Sequence, residues 1–348
     1  MKEKFLWVVL FQFFLSFPVP AQINQKSAVI EREEFIFNEA PFEQCHASTL
    51  AETQNGLVVA WFGGTHEKNK DVEIWISRKS GGVWTAPVSA ADGIYQGKRY
   101  PTWNPVLFQV PGAELILFYK VGPDPKTWWG MLKRSMDEGI TWSEAEKLPD
   151  GILGPIKNKP ELLNSGKLIC PSSTEHKGWK VQLEITPDFG RTWEPVVHID
   201  PSSVLEVIQP AIIFPGEEKM QILCRSKNGV IVTAFSNDSG LSWSPLEKTD
   251  LPNPNSGIDA VTLADGRHVL IYNHSNKPDN KWGGPRYPLN LAVSDDGVEW
   301  KASLVLEDEP GEYSYPAIIQ GREGKIHMVY TWKRDKIKYL QLNPGLLP

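Results

Sequence analysis

An eight-residue pattern, S/T-x-D-x-G-x-T/S-W, returns along this chain about every fifty residues, and few folds can accommodate it. Residues 135–142 read SMDEGITW, residues 186–193 TPDFGRTW and residues 236–243 SNDSGLSW. Residues 294–300, SDDGVEW, are one residue short; residues 77–84, SRKSGGVW, keep Ser77, Gly82 and Trp84 but carry Ser80 near where the Asp belongs. The closing residues Trp84, Trp142, Trp193, Trp243 and Trp300 are 58, 51, 50 and 57 positions apart. Within each copy the Asp and Ser side chains can bond the amides of a tight turn, the Gly can take a positive φ, and the Trp can close the hairpin by packing against the next unit. A period near fifty is the size of a four-stranded propeller blade.

Each copy has the same preface: an inner strand, a turn, a second strand and a third that runs into the motif. Residues 104–109, 114–120 and then 135 form one unit. The segments at 159–163 and 167–173, at 209–214 and 220–226, and at 258–263 and 268–275 precede the copies at 186, 236 and 294. Residues 46–50, 57–63 and 71–77 make a first unit, and 315–320, 325–332 and 337–342 a sixth without the motif. Nothing after residue 342 supplies an outer strand for that last unit. The strand-like segment 28–37 is expected to pair with it and close the ring, removing an exposed sheet edge. Helix signals are almost absent and no linker interrupts the series. The sequence therefore predicts an all-β six-bladed β-propeller, a single domain over residues 22–348.

The first residues read as a secretory leader. Lys2 and Lys4 precede an apolar run at 5–17, and Val19 and Ala21 sit three and one positions before a cut that would leave Gln22 first. The run is short for a membrane span. These features predict a leader over 1–21, a secreted or periplasmic protein, and no membrane insertion after cleavage. A net charge of −6, with no basic run or stripe, argues against a nucleic-acid binder. Cys45, Cys170 and Cys224 are widely spaced, odd in number and embedded in apolar strand-like runs, which fits buried free thiols rather than a disulfide framework or a metal site. No cofactor is called for. Fourteen Trp suit both inter-blade packing and stacking on sugar rings.

In a propeller the starts of the inner strands and the loops after the second strands converge on one mouth of the central channel. That register nominates His46, Trp103, Asn104, Lys157, Asn158, Lys159, Gln209, Asp259 and Tyr313 from inner strands, with Arg225, Asp71 and Arg286 from second strands and loops. The carboxylates of Asp137, Asp188 and Asp238 are expected to be turn-forming.

The repeats resemble the BNR or Asp-box repeats of the sialidase superfamily, over most of residues 40–342. Residues 209–226, QPAIIFPGEEKMQILCRS, resemble the segment ending in a substrate-binding arginine, here Arg225; residues 284–300 resemble the segment carrying another, here Arg286. Residues 313–317, YSYPA, resemble the segment with the tyrosine nucleophile, taken as Tyr313. The resemblance implies an arginine triad gripping a sugar carboxylate, a glutamate activating the tyrosine, and an aspartate as acid/base, with Asp71 the candidate. Arginine forks suit a planar carboxylate, and a phenol oxygen is repelled less by that carboxylate than another carboxylate would be. Two positions depart from the family pattern. QCHAS at 44–48 has His46 and no arginine where the first triad member belongs, and the glutamate position falls near Gln209, which cannot act as a base.

The expected function is that of a secreted, sialidase-like exo-glycoside hydrolase removing a terminal, acidic sugar from an oligosaccharide or polysaccharide. Tyr313, His46 and Asp71 would be catalytic; Arg225, Arg286, Gln209, Asp259, Trp103, Asn104 and Lys159 would bind substrate; the protein would act as a monomer. Two alternatives stand beside it: a uronate-directed polysaccharide lyase, and a non-catalytic glycan-binding propeller.

Overall fold

A strand meander that buries both faces of its sheet needs a neighbour on each side, and a ring of identical sheets supplies one everywhere. The computed structural model shows that ring; it describes residue 26 and residues 28–347. The leader expected at 1–21 lies outside the described residues.

Six antiparallel sheets follow one another. Blade one is Gln44–Thr53, Gly56–Gly64 and Glu73–Ser80, with outer pieces Val83–Trp84 and Val88–Ala91. Blade two is Thr102–Gln109, Leu115–Val121, Trp129–Ser135 and Glu146–Lys147. Blade three is Glu161–Leu162, Leu168–Thr174, Lys180–Thr186 and Val197–His198. Blade four is Val207–Ile213, Met220–Ser226, Val230–Ser236 and Glu247–Pro252; blade five is Asp259–Thr262, His268–Asn273, Leu289–Ser294 and Lys301–Glu307. Blade six takes Tyr313–Gln320, Ile326–Trp332 and Lys336–Leu342 from the end of the chain and its outer strand, Ile30–Phe35, from the beginning. That outer strand runs antiparallel to Lys336–Leu342, pairing Glu33 with Leu340 and Phe35 with Lys338. The predicted closure is therefore the one observed.

Apolar clusters fill the six blade interfaces. Between blades one and two, for example, Val58, Ala60 and Ile74 meet Leu107, Leu117 and Met131; between four and five, Ile213 and Leu223 meet Leu270 and Tyr272. Each fully buried aliphatic or aromatic side chain of this kind contributes about 1.5–3 kcal/mol. The three cysteines are buried free thiols within this apolar framework.

The repeated turns cap themselves. In blade two the Gly139 amide donates to Ser135 Oγ at 2.7 Å, while Asp137 accepts the Thr141 amide at 2.8 Å and the Thr141 hydroxyl at 2.6 Å. Asp188 does the same for Thr192 in blade three. Two successive left-handed residues make the turn, not the glycine alone: Glu138 at φ 58° precedes Gly139 at 82°. The closing Trp then packs backwards onto the preceding blade, as Trp193 does on Phe118 and Trp84 on Tyr339 of blade six. These turns follow the third strands and so lie at the opposite end of the ring from the loops that follow the second strands. That second set of loops, together with the starts of the inner strands, builds the functional mouth.

Candidate active site

The inner strands of blades one, two, four and six share an irregularity near their starts. Pairing slips between His46 and Thr49, opposite Phe118–Lys120 in blade two, between Ile208 and Ala211, and between Ser314 and Ala317. At each slip one non-glycine residue is left-handed: Ala47 (φ 57°), Asn104 (36°), Gln209 (57°) and Tyr315 (51°). Such a bulge costs backbone strain, about 1–3 kcal/mol, and re-aims the side chains around it. Here it turns Gln209 and Tyr315 toward one another across the ring, so that Gln209 Nε2 donates to Tyr315 Oη at 3.1 Å.

Above them opens a cavity of about 570 Å³ whose lining includes His46, Arg225, Arg286, Tyr315 and Arg334, with Trp179 and Trp282 on one wall. Three arginines thus reach it from three blades. Arg225 ends the second strand of blade four; its Nη1 donates to Tyr315 Oη at 2.9 Å and its Nε to Asn255 Oδ1 at 2.8 Å. Its guanidinium lies over the Trp179 ring, 5.2 Å from the centroid. Arg286, on the long loop of blade five, donates through Nη1 to Glu312 Oε1 at 2.7 Å. Arg334, in the turn after the second strand of blade six, donates through Nε to the same Glu312 oxygen at 3.1 Å and through Nη1 to Glu67 Oε2 at 2.7 Å. Burial alone would raise the Glu312 carboxyl, but Arg286 and Arg334 hold it below the usual range. The two guanidiniums are therefore fixed by an ionised carboxylate with N–H groups to spare, an arrangement suited to a planar anion.

His46 is buried, its ring 4.3 Å from that of Tyr315 and edge-on to Phe62. Its Nδ1 has no hydrogen-bond partner among the described residues. Burial, then the charges of Arg334, Arg286, Arg225 and Lys157, hold its pKa well below the ordinary value, so the ring is neutral at pH 7. Lys157 lies at the axis of the ring, where its ammonium donates to Asn158 Oδ1 and the Ile258 carbonyl, each at 2.7 Å, and to the carbonyl of Pro316, the residue after Tyr315. Burial lowers its pKa to about 7.

Of the residues nominated by sequence, the structure gathers His46, Arg225, Arg286 and Gln209. It does not bring Tyr313 to them. Tyr313 is 1% exposed, packs in the apolar layer between blades five and six and sits 6.5 Å from the Trp332 ring. The tyrosine of the cavity is Tyr315, two positions on. Asp71 is also elsewhere: its carboxylate accepts the Thr65 amide at 2.8 Å and the Thr65 hydroxyl, capping the loop after the second strand of blade one. Against a burial effect, those bonds keep it ionised. Trp103 is a core residue whose indole donates to the Gly122 carbonyl, and Asn104 ties the Ile156 carbonyl. Asp259 joins blades five and six through the Ile318 amide, and Lys159 pairs with it at 3.3 Å, lining the other mouth of the channel. Arg334 and Glu67 were not singled out as site residues by register. Arg334 lies two residues beyond the strand end used for counting, in a turn whose Lys333 and Arg334 are both left-handed. Among the described residues no cluster of His, Cys, Asp and Glu could hold a metal ion.

Known proteins agree with this architecture. The family model described as a BNR repeat-like domain matches residues 55–328. The anhydrosialidase of Macrobdella decora is 20% identical over 232 residues, 59% of this chain but only 30% of its own length, so the match spans about a third of that relative. Among solved structures, a protein of unknown function from Dyadobacter fermentans superposes with a TM-score of 0.73 at 16% identity, covering 90% of this chain and 98% of that one. The intramolecular trans-sialidase from Ruminococcus gnavus superposes at 0.70 with 14% identity, covering 90% and 97%. With its repeats, its closed ring of six blades and a family match over most of its length, the chain belongs to the family of BNR repeat-like domain proteins.

Proposed function

We propose that this protein is a carbohydrate-active enzyme that cleaves a terminal carboxylate-bearing sugar from a glycan, after delivery across a membrane by the leader at residues 1–21. The observation that carries the reading is the convergence of Arg225, Arg286 and Arg334 on one cavity beside the Tyr315 phenol. The third arginine comes from blade six, which compensates for His46 standing at the start of blade one. Bidentate pairing of the carboxylate with these guanidiniums would set the sugar against Tyr315 Oη, the nucleophile or transition-state stabiliser. Gln209 orients the phenol but cannot take its proton; the neutral imidazole of His46 is the neighbouring base. A cavity entered from one mouth suits removal of terminal residues.

A second reading rests on the same two residues. A glutamine at the family's carboxylate position and a neutral histidine among cations also suit β-elimination from a uronate. There His46 would remove the proton α to the carboxylate while the arginines stabilise the enolate-like charge.

Product analysis separates them. The mature protein is incubated with sialosides, uronate-terminated oligosaccharides and neutral aryl glycosides. The names of the relatives put sialic acid first on that panel. Release of a free acidic sugar, with kcat/KM reduced about 10- to 100-fold in Arg334→Ala, is expected for the hydrolase. An unsaturated, ultraviolet-absorbing product moves the protein to the lyases. Silence throughout, with glycan binding retained, makes it a binding module.

A further inference from the structure

Cleavage of a glycosidic bond leaves an oxygen that must be protonated as it departs, and a carboxyl that stays neutral at working pH is the usual donor. Glu67, Asp124 and Glu175 line this cavity, Glu312 borders it and Asp71 caps a loop elsewhere; a salt bridge or paired donors hold four of the five. Glu67 is paired with Arg334 at 2.7 Å, and Glu312 with both Arg286 and Arg334. Asp124 accepts the Lys126 amide at 2.8 Å and the Thr127 hydroxyl at 3.2 Å, closing its own loop. Asp71 is committed to Thr65. All four are engaged by a salt bridge or by paired donors.

Glu175 differs. It lies in the blade-three loop between Leu168–Thr174 and Lys180–Thr186 and lines the same cavity as Tyr315. Its Oε2 accepts one bond, from the Trp179 indole at 2.9 Å, and its other oxygen has no partner among the described residues. We infer that Glu175, not Asp71, is the general acid that protonates the leaving oxygen. The assignment rests on the enzyme reading above. The charged groups facing Glu175 are Arg225 and Lys227 from blade four and Lys126 from blade two. They do not offset its burial, which raises the carboxyl. With His46 pushed the other way, the cavity holds a proton donor and a proton acceptor whose environments drive them apart, the usual mark of an acid/base pair.

The proton count closes. As Tyr315 Oη bonds to the anomeric carbon, its proton passes to His46, the carbon–oxygen bond breaks, and the Glu175 proton goes to the departing glycan, which leaves as an alcohol. Water then displaces the tyrosine oxygen, giving its proton to the Glu175 carboxylate, and the imidazolium returns its own to Tyr315.

The test is leaving-group dependence in Glu175→Gln, whose amide oxygen still accepts the Trp179 bond. On an alkyl-linked disaccharide, kcat/KM is expected to fall about 10²- to 10⁴-fold. On the 4-nitrophenyl glycoside of the same sugar, which needs no acid, it should fall less than about tenfold, and the alkaline limb of its pH profile should disappear. Equal losses on both substrates overturn the assignment by making Glu175 a structural support for Trp179. So does the same selective pattern in Asp71→Asn with Glu175→Gln near wild type. If the wild-type protein is inert on every substrate, the enzyme reading itself fails and the assignment falls with it; an active wild type with an unaffected Glu175→Gln removes the assignment alone.

Discussion

Tyr313 and Tyr315 are two positions apart, on the same strand, and in a regular strand they would face the same way. They do not, because pairing slips between Ser314 and Ala317 and Tyr315 takes φ 51°. One ring packs between blades and the other reaches Arg225 at 2.9 Å. The two phenols therefore have separable consequences. Tyr315→Phe is expected to reduce kcat about 10²- to 10⁴-fold with little change in melting temperature, whereas Tyr313→Phe should retain kcat within about threefold. Steady-state kinetics and thermal unfolding of both variants check this; loss of turnover in Tyr313→Phe alone would return the role to the residue first nominated. What was legible at this scale follows from the same physics. Arg225 and His46 sit near strand ends, where counting finds them, while Arg286 lies on a loop and was nominated also through the resemblance of residues 284–300. A bulge is invisible to counting, since it changes which residue faces the channel without changing the composition of YSYPA. Arg334 escaped because its place is set by a tight turn rather than by a strand.

The repeated turn is the element that makes a blade. Its Asp is committed to holding amides and hydroxyls within its own loop, yet the turn also couples blades: next to Asp137, Glu138 accepts from Thr53 Oγ1 at 2.9 Å and Asn55 Nδ2 at 2.8 Å, both in the first hairpin of blade one. Hydrogen bonds from Thr141 and Ser135, and from Ser242 and Ser236, lower the Asp137 and Asp238 carboxyls to about 2. A carboxyl whose pKa is lower folded than unfolded stabilises the fold above the unfolded value, near 4, and that contribution is lost as pH falls toward 2. Asp137→Ala should therefore melt below wild type at pH 7, with the gap closing between about pH 4 and 2. Thermal unfolding at pH 7, 4 and 2 tests it; a gap independent of pH would mean that the turn is held by Ser135 and the backbone alone. This element could be read from the sequence almost completely, because capping a tight turn with side chains demands particular residues at particular spacings. The left-handed Glu138 could not, since no side chain advertises it.

For the molecule as a whole, the decisive contacts are those that close the ring. Past the outer strand, Ile36 and Phe37 enter the interface between blades six and one, where Phe37 stacks on Trp61 at 5.1 Å. Truncating Phe37 leaves a hole at the seam that neighbouring strands cannot collapse into without breaking register. Phe37→Ala is expected to lower unfolding free energy by about 3–5 kcal/mol, read as a lower urea midpoint at unchanged slope. A change under about 1 kcal/mol would show that the seam is held by the strand ladder instead. The six-blade count and the seam were both foreseeable, the first from the spacing of five Trp and the second from an outer strand missing after Leu342. The seam has a further consequence in time. The strand at 30–35 is made long before its partner at 336–342, so a growing chain must carry an unpaired, apolar-flanked ribbon until that partner emerges. Pairing segments so far apart in sequence is slow, and until it happens the nascent protein is an open arc with two adhesive edges, exposed to the partners that capture such edges.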